Sequence, residues 1–140
     1  MSEISDHVYS CRVRWSDVDV YGHVNNVKYF EYVQEARVSF MHELAEMPFG
    51  GSLPWVIARQ DVEYKRPMLF RSEPYDIHST VTRIGTSSYD LTADIKDGET
   101  LLARARTVVV AFDQENQRSR PMSPGERAAL EALYDGRAGG

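Results

Sequence analysis

The segment Trp15–Asn26, WSDVDVYGHVNN, places two aspartates, a histidine, two asparagines and a glycine in twelve positions. A turn needs one or two such residues, to adopt positive φ or to bond nearby backbone. The surplus is enough for chemistry. A carboxylate can act as a general base on water or attack a carbonyl directly, and Asp19 is the candidate. His23 can hold a substrate or water, or simply fix the loop through a backbone oxygen. Amides left free at a helix start carry partial positive charge and can meet a developing oxyanion. Asn25 or Asn26 suits the N-cap, where a side-chain oxygen accepts an amide of the first turn. Gly22 permits a tight turn and a close approach to the backbone. Asp17 reads as the structural aspartate of the pair, bonding turn amides. On the residues alone, Asp19 divides evenly between that role and a chemical one.

The elements around the segment follow from periodicity. His7 to Trp15 alternates, with Tyr9, Cys11, Val13 and Trp15 on one face, as in a half-buried strand. Tyr29, Val33, Ala36, Phe40 and Leu44 recur at helical steps, with Phe30, Arg37 and Met41 alongside and Glu31, Gln34, Glu35 and Glu43 opposite. Pro48 and Gly50-Gly51 stop this helix. Strands follow at Trp55–Tyr64, Tyr75–Val81, Tyr89–Ile95 and Leu101–Phe112. RIGTSS forms a turn, and Asp97-Gly98 a two-residue hairpin turn. VVVAF, at the end of the last strand, is apolar on both faces, so a second copy of the chain is the expected cover for one of them. Ser123-Pro124-Gly125-Glu126 is a capping box with Pro at the first helical position, opening a short helix with Leu130, Leu133 and Tyr134. The order predicts an α+β fold, a five-stranded antiparallel sheet wrapped around one long helix, with a short C-terminal helix.

Composition bounds the function. The 140 residues suit one domain over 1–140 with a real core, residues 136–140 reading as a loose tail. A net charge of −5 argues against a nucleic-acid partner. Cys11 is the only cysteine, which excludes an internal disulfide and suits a reducing cytoplasm. Histidines 7, 23, 42 and 78 are scattered, and no metal site is expected. MSEISDHVYS lacks the apolar run of a signal peptide, and nothing approaches the ~20 apolar residues of a membrane span.

The stretch DVDVYGHVNNVKYFEYVQEAR resembles the 4-hydroxybenzoyl-CoA thioesterase-like branch of the hotdog-fold acyl-CoA thioesterases. That family has an Asp-x-Asp-x-x-Gly segment after its first strand, then the hotdog helix and an aromatic-rich stretch. Asp17, Asp19, Gly22, Tyr29, Tyr32, Glu35, Ala36 and Arg37 stand in those places. VEYKRPM and the strand into VVVAFD extend the likeness over most of the chain. The resemblance implies that Asp19 is the catalytic carboxylate and that an amide near Asn26 meets the thioester carbonyl. It also implies a site between subunits of a homodimer or homotetramer, and an acyl-CoA substrate. No cofactor is expected, because coenzyme A is part of the substrate.

Lys65, Arg66, Arg83 and the turn Thr86-Ser87-Ser88 are candidates to grip the phosphates of coenzyme A, as similar regions do in the family. Taken singly, each also fits a solvated strand end. GHVNNVKY is similar to the matching segment of acyl-ACP thioesterases, but Tyr21 stands where those usually carry asparagine. That makes a carrier-protein substrate less expected and gives Tyr21 a place shaping the acyl pocket. Met41, Met47, Met68, Phe40 and Phe49 suit either an acyl tunnel or plain core. Two rivals remain. A hotdog hydratase or dehydratase would pair Asp19 with His23, but the Asp-x-Asn-Pro-x-His pattern of such enzymes has one more residue in the gap and a proline absent here. A non-catalytic acyl-CoA-binding dimer would need the carrier grip without the carboxylate.

Overall fold

A computed structural model describes residues 7–45 and 55–134. In chain order come β1 (His7–Cys11), a 3-10 turn (Trp15–Asp17), α1 (Lys28–Ala45), β2 (Trp55–Tyr64), β3 (Tyr75–Ile84), β4 (Ser88–Asp97), β5 (Thr100–Asp113), β6 (Arg118–Ser119) and α2 (Pro124–Ala132). The five long strands form one antiparallel sheet in the order β1-β3-β4-β5-β2, and the two-residue β6 folds back on β5. This is the hotdog arrangement expected from the sequence. The helix stop at Pro48 and Gly50-Gly51, Met47, Phe49 and the 136–140 tail lie outside the described residues.

The sheet holds α1 through the predicted stripe. Tyr29, Val33, Ala36, Phe40 and Leu44 are all buried, while Glu31, Gln34, Glu35 and Glu43 face solvent. Ala36 shares a cluster with Ala93, Ala103 and Ala105 of β4 and β5. Small side chains on both surfaces let the helix seat closely on the sheet. Further along, Phe40 and Leu44 pack with Tyr89, Leu91, Val109 and Ala111, and α2 adds Ala129 and Leu130 to the same cluster. Phe40 and Met68 are therefore core residues here, as Met68 is also fully buried.

Four differences from the periodic pattern have local causes. β1 ends at Cys11 rather than running to Trp15, because the Arg14 amide and guanidinium both bond Asp17 and turn the chain into the 3-10 segment. β3 runs to Ile84, leaving a tight turn closed by the Gly85 amide on the Ser88 carbonyl at 2.7 Å. β6 arises because Asp113 accepts the Glu115 and Asn116 amides and Gln117 takes φ 54°, which reverses the chain. The capping box at Ser123 is present, but α2 ends at Ala132, and Tyr134 instead bridges Val81. VVVAF is divided as its alternation demands: Val109 and Ala111 face the core, and Val108, Val110 and Phe112 are half-buried on the outer face.

Candidate active site

The connection from β1 to α1 is anchored by Asp17, whose side chain is wholly buried. The Tyr32 hydroxyl donates to Oδ2 at 2.6 Å, and the Arg14 guanidinium donates to both carboxylate oxygens at 3.1 and 3.2 Å. Burial alone would push this carboxyl up. The bonds from Tyr32 and Arg14 outweigh it and hold Asp17 below its ordinary value. Asp17 is thus fully committed to structure, and its carbonyl also accepts the Asn25 amide at 2.8 Å.

Two residues on, the environment reverses. Val18 and Val24 form an antiparallel bridge, the Asp19 amide donates to the His23 carbonyl at 2.8 Å, and Gly22 donates back to Asp19 at 3.1 Å. Gly22 sits at φ +81°, the left-handed conformation this hairpin needs. Asp19 Oδ1 accepts the amides of Tyr21 (2.9 Å) and His23 (3.3 Å), which fixes the carboxylate. Oδ2 has no partner among the described residues and is exposed. One oxygen is held by backbone amides and the other is left without a partner among the described residues.

The hairpin is tied to the segment after β2. Val24 donates to the Met68 carbonyl at 2.9 Å, His23 bridges Leu69, and Met68 in turn donates to the Tyr29 hydroxyl. At the helix entry Asn25 Oδ1 accepts the Val27 amide at 3.0 Å, so Asn25 caps the turn that leads into α1. The Asn26 carbonyl accepts from Tyr29 N and from the Tyr64 hydroxyl at 2.9 Å. The Asn26 N–H has no acceptor among the described residues.

Asp19, His23, Asn26, Lys65 and Arg66 line one cleft of about 250 Å³, floored by Tyr29 and Tyr64. These two rings pack edge to face at 4.8 Å. The amides of Lys65 and Arg66 both bond the Leu102 carbonyl, while their side chains are exposed and have no carboxylate partner among the described residues. Tyr64 is the residue that sequence reasoning missed. Its alternation marks a strand residue, and nothing in the sequence ties its hydroxyl to Asn26.

Other candidates lie elsewhere. Tyr21 stands at the hairpin tip, 81% exposed, apart from the cleft walls. Arg83, Thr86, Ser87 and Ser88 gather at the β3–β4 turn. Lys65 meets β5 at Leu102 and Ser88 pairs with Val110, so the two groups are separated by eight strand residues, about 26 Å at ~3.3 Å per residue. Within one chain they do not share a cleft. Arg83 is engaged by Asp90 (2.9 Å) and Ser88 (2.8 Å), and the Thr86 and Ser87 carbonyls accept Met122 and Ala111 amides. A further groove of about 290 Å³ between β1 and α1 contains Cys11. Burial, with Asp17 nearby, pushes that thiol up to about 12, so it is no ready nucleophile. No group of potential metal ligands occurs among the described residues, and no described helix is long and apolar enough to cross a membrane.

The chain is similar to known proteins. YsmA of Bacillus subtilis is 34% identical over 82 residues, 56% of this chain, and the match spans about half (53%) of YsmA. The long-chain acyl-CoA thioesterase FadM of Escherichia coli is 26% identical over 127 residues, covering 87% of this chain and 95% of FadM. A thioesterase from Thermus thermophilus, solved in complex with coenzyme A and Zn, has the same fold with a TM-score of 0.79 at 24% identity, over 95% of this chain and 96% of that one. The thioesterase-like superfamily matches residues 13–130, a span that takes in the Asp17–Asn26 segment, the whole cleft and strands β2 to β6, and the chain belongs to that superfamily.

Proposed function

We propose that this protein hydrolyses an acyl-CoA thioester to a free acid and coenzyme A. The observation that carries the reading is that Asp19, with one carboxylate oxygen lacking a partner among the described residues, and Asn26, whose N–H lacks one too, line one cleft. Acting as base, Asp19 takes a proton from water as the water oxygen adds to the thioester carbon. The electron pair moves to the carbonyl oxygen, and the Asn26 N–H donates a hydrogen bond to the oxyanion so formed. Collapse breaks the C–S bond, and the thiolate leaves and is protonated. Acting as nucleophile, Asp19 forms an anhydride that water then opens. A donor aimed at such an oxyanion contributes about 2.7–4 kcal/mol. His23 borders the same cleft and suits a role holding water or carbonyl.

Lys65 and Arg66 supply positive charge for the carrier phosphates at the rim of this cleft. Neither water hydrolysis route calls for a metal or cofactor. FadM, named for acyl-CoA hydrolysis, and the coenzyme A bound to the Thermus protein support the substrate class. We place the working unit as a homodimer or homotetramer. β2 is a ten-residue edge strand with exposed Val56, Ile57 and Ala58, and such an edge calls for a partner strand.

The test is release of free thiol from short, medium, long and aromatic acyl-CoAs by wild type and Asp19→Asn. Turnover lost in the variant supports the assignment. No release from any thioester, with water added to an enoyl-CoA, would replace hydrolysis with the hydratase reading.

A further inference from the structure

Asp19 borders two depressions of opposite character. On one side is the polar cleft with Lys65, Arg66, His23 and Asn26. On the other is a wider depression of about 560 Å³ walled by Trp15, Val18, Val20 and Phe70, with Ser16 and Gly22 between them. Among the described residues, Asp19 is common to both linings and the only charged group on the second. The larger volume falls in the range of small-molecule sites.

The apolar wall is built. Arg14 and Asp17 end β1 early and turn Trp15 out of the sheet, where it is 74% exposed. There it meets Phe70 edge to face, with ring centroids 5.5 Å apart. Phe70 is itself 47% exposed, and Val20 is 93% exposed at the hairpin. The lock that removes Asp17 from chemistry is therefore the same one that presents Trp15. Exposed apolar groups gathered in one place mark a binding surface.

We infer that this depression receives the acyl group of the substrate, an apolar chain or ring, with Trp15 and Phe70 as specificity-determining residues. The inference rests on the thioesterase reading and adds the course of the substrate across Asp19. Coenzyme A lies over Lys65 and Arg66, the thioester carbon sits at Asp19, and the acyl group continues onto Trp15 and Phe70. The reverse course fails on charge: phosphates over Trp15, Val18, Val20 and Phe70 would meet no cation and one carboxylate. A second copy of the chain is the competing occupant, and the experiment separates the two.

The probes are S-butyl-, S-octyl- and S-dodecyl-coenzyme A, thioethers that cannot be hydrolysed. Their dissociation constants are measured by calorimetry on wild type, Trp15→Ala and Phe70→Ala, with sedimentation of each protein alongside. The expected result is affinity that rises with chain length in wild type. In each variant that rise shrinks by about tenfold, the scale of apolar-pocket discrimination, while butyl binding changes less than twofold. A length dependence that is unaltered in both variants, or binding weakened equally at every length, overturns the inference. So does a variant that loses its oligomeric mass and keeps its length dependence, which would assign the wall to a second copy. The thioesterase reading fails separately, if wild type releases no thiol from the corresponding acyl-CoAs while length-dependent binding persists.

Discussion

The Tyr32 hydroxyl donates to Asp17 Oδ2 at 2.6 Å, tying the second turn of α1 to the connection that precedes it. Burial and the neighbouring Asp17 raise the Tyr32 phenol well above its ordinary value, so it stays protonated as the donor. Tyr32→Phe leaves a buried carboxylate oxygen short of a partner. The expected cost is about 1–3 kcal/mol of stability, read as a lower urea midpoint at unchanged m-value. The thiol-release rate at saturating substrate should fall far less than for a change at Asp19.

Asp19→Asn keeps an oxygen able to accept the Tyr21 and His23 amides that now bond Oδ1. The hairpin should therefore persist, and the melting temperature should stay within a degree or two of wild type. Turnover should drop by roughly 10²–10⁴, the range for loss of a general base. An unchanged kcat would move the assignment to His23.

Gly22 offers a cleaner probe of loop geometry. A Cβ there would meet nothing within 4 Å, yet the residue sits at φ +81°. Gly22→Ala therefore introduces backbone strain without a clash, costing about 1–2 kcal/mol. Because the same turn aims Asp19, kcat should fall with stability while KM for the thioester changes little. A substitution with no effect on either would mean the hairpin relaxes freely.

Much of this could be read from the chain because its apolar spacing is regular: the α1 stripe, the β4 alternation and the Ser123 capping box each appear where the pattern puts them. Periodicity failed where a polar contact overrides it. Trp15 continues the β1 alternation perfectly, and only the Arg14–Asp17 bonds reveal that the strand has already ended. The site divided in the same way. Asp19, His23 and Asn26 are close in sequence, so one loop holds them together. Lys65-Arg66 and Arg83-Thr86-Ser87-Ser88 were equal as basic or hydroxyl-rich strand ends, and no local signal says at which end of the sheet a strand terminates. The Asp17–Asp19 contrast was half visible: the turn chemistry was expected, but the Tyr32 partner lies fifteen residues away.

Lys65 and Arg66 give a prediction that isolates the carrier. Neither has an ion-pair partner among the described residues, and both line the Asp19 cleft. Lys65→Ala and Arg66→Ala should each raise KM for an acyl-CoA by about tenfold, equivalent to ~1.4 kcal/mol. The same variants should leave KM for the N-acetylcysteamine thioester of the same acyl group nearly unchanged, since that substrate has no phosphates. Equal changes on both substrates would remove these residues from the carrier site.

Two buried carboxylates among the described residues make the fold sensitive to acid. Asp17 is held below its ordinary value against burial by Tyr32 and Arg14, and Glu126 likewise by Arg120 and the Ser123 amide. Arg120 grips Glu126 at 2.9 and 3.0 Å and so fastens α2 to the chain leaving β6. In the unfolded chain these groups take up protons near pH 4. With the folded values depressed, the unfolded state binds more protons between the two, so stability rises with pH across that window. The contribution is fully present above the unfolded values and is lost as pH falls through the folded ones. Urea midpoints should therefore be flat from pH 7 to 5 and decline below about pH 4. Glu126→Gln should be less stable at pH 7 and show a shallower decline, because the Glu126 proton no longer differs between the states while those of Asp17 and Asp113 still do. A decline of unchanged steepness in Glu126→Gln would assign the acid sensitivity to other carboxylates.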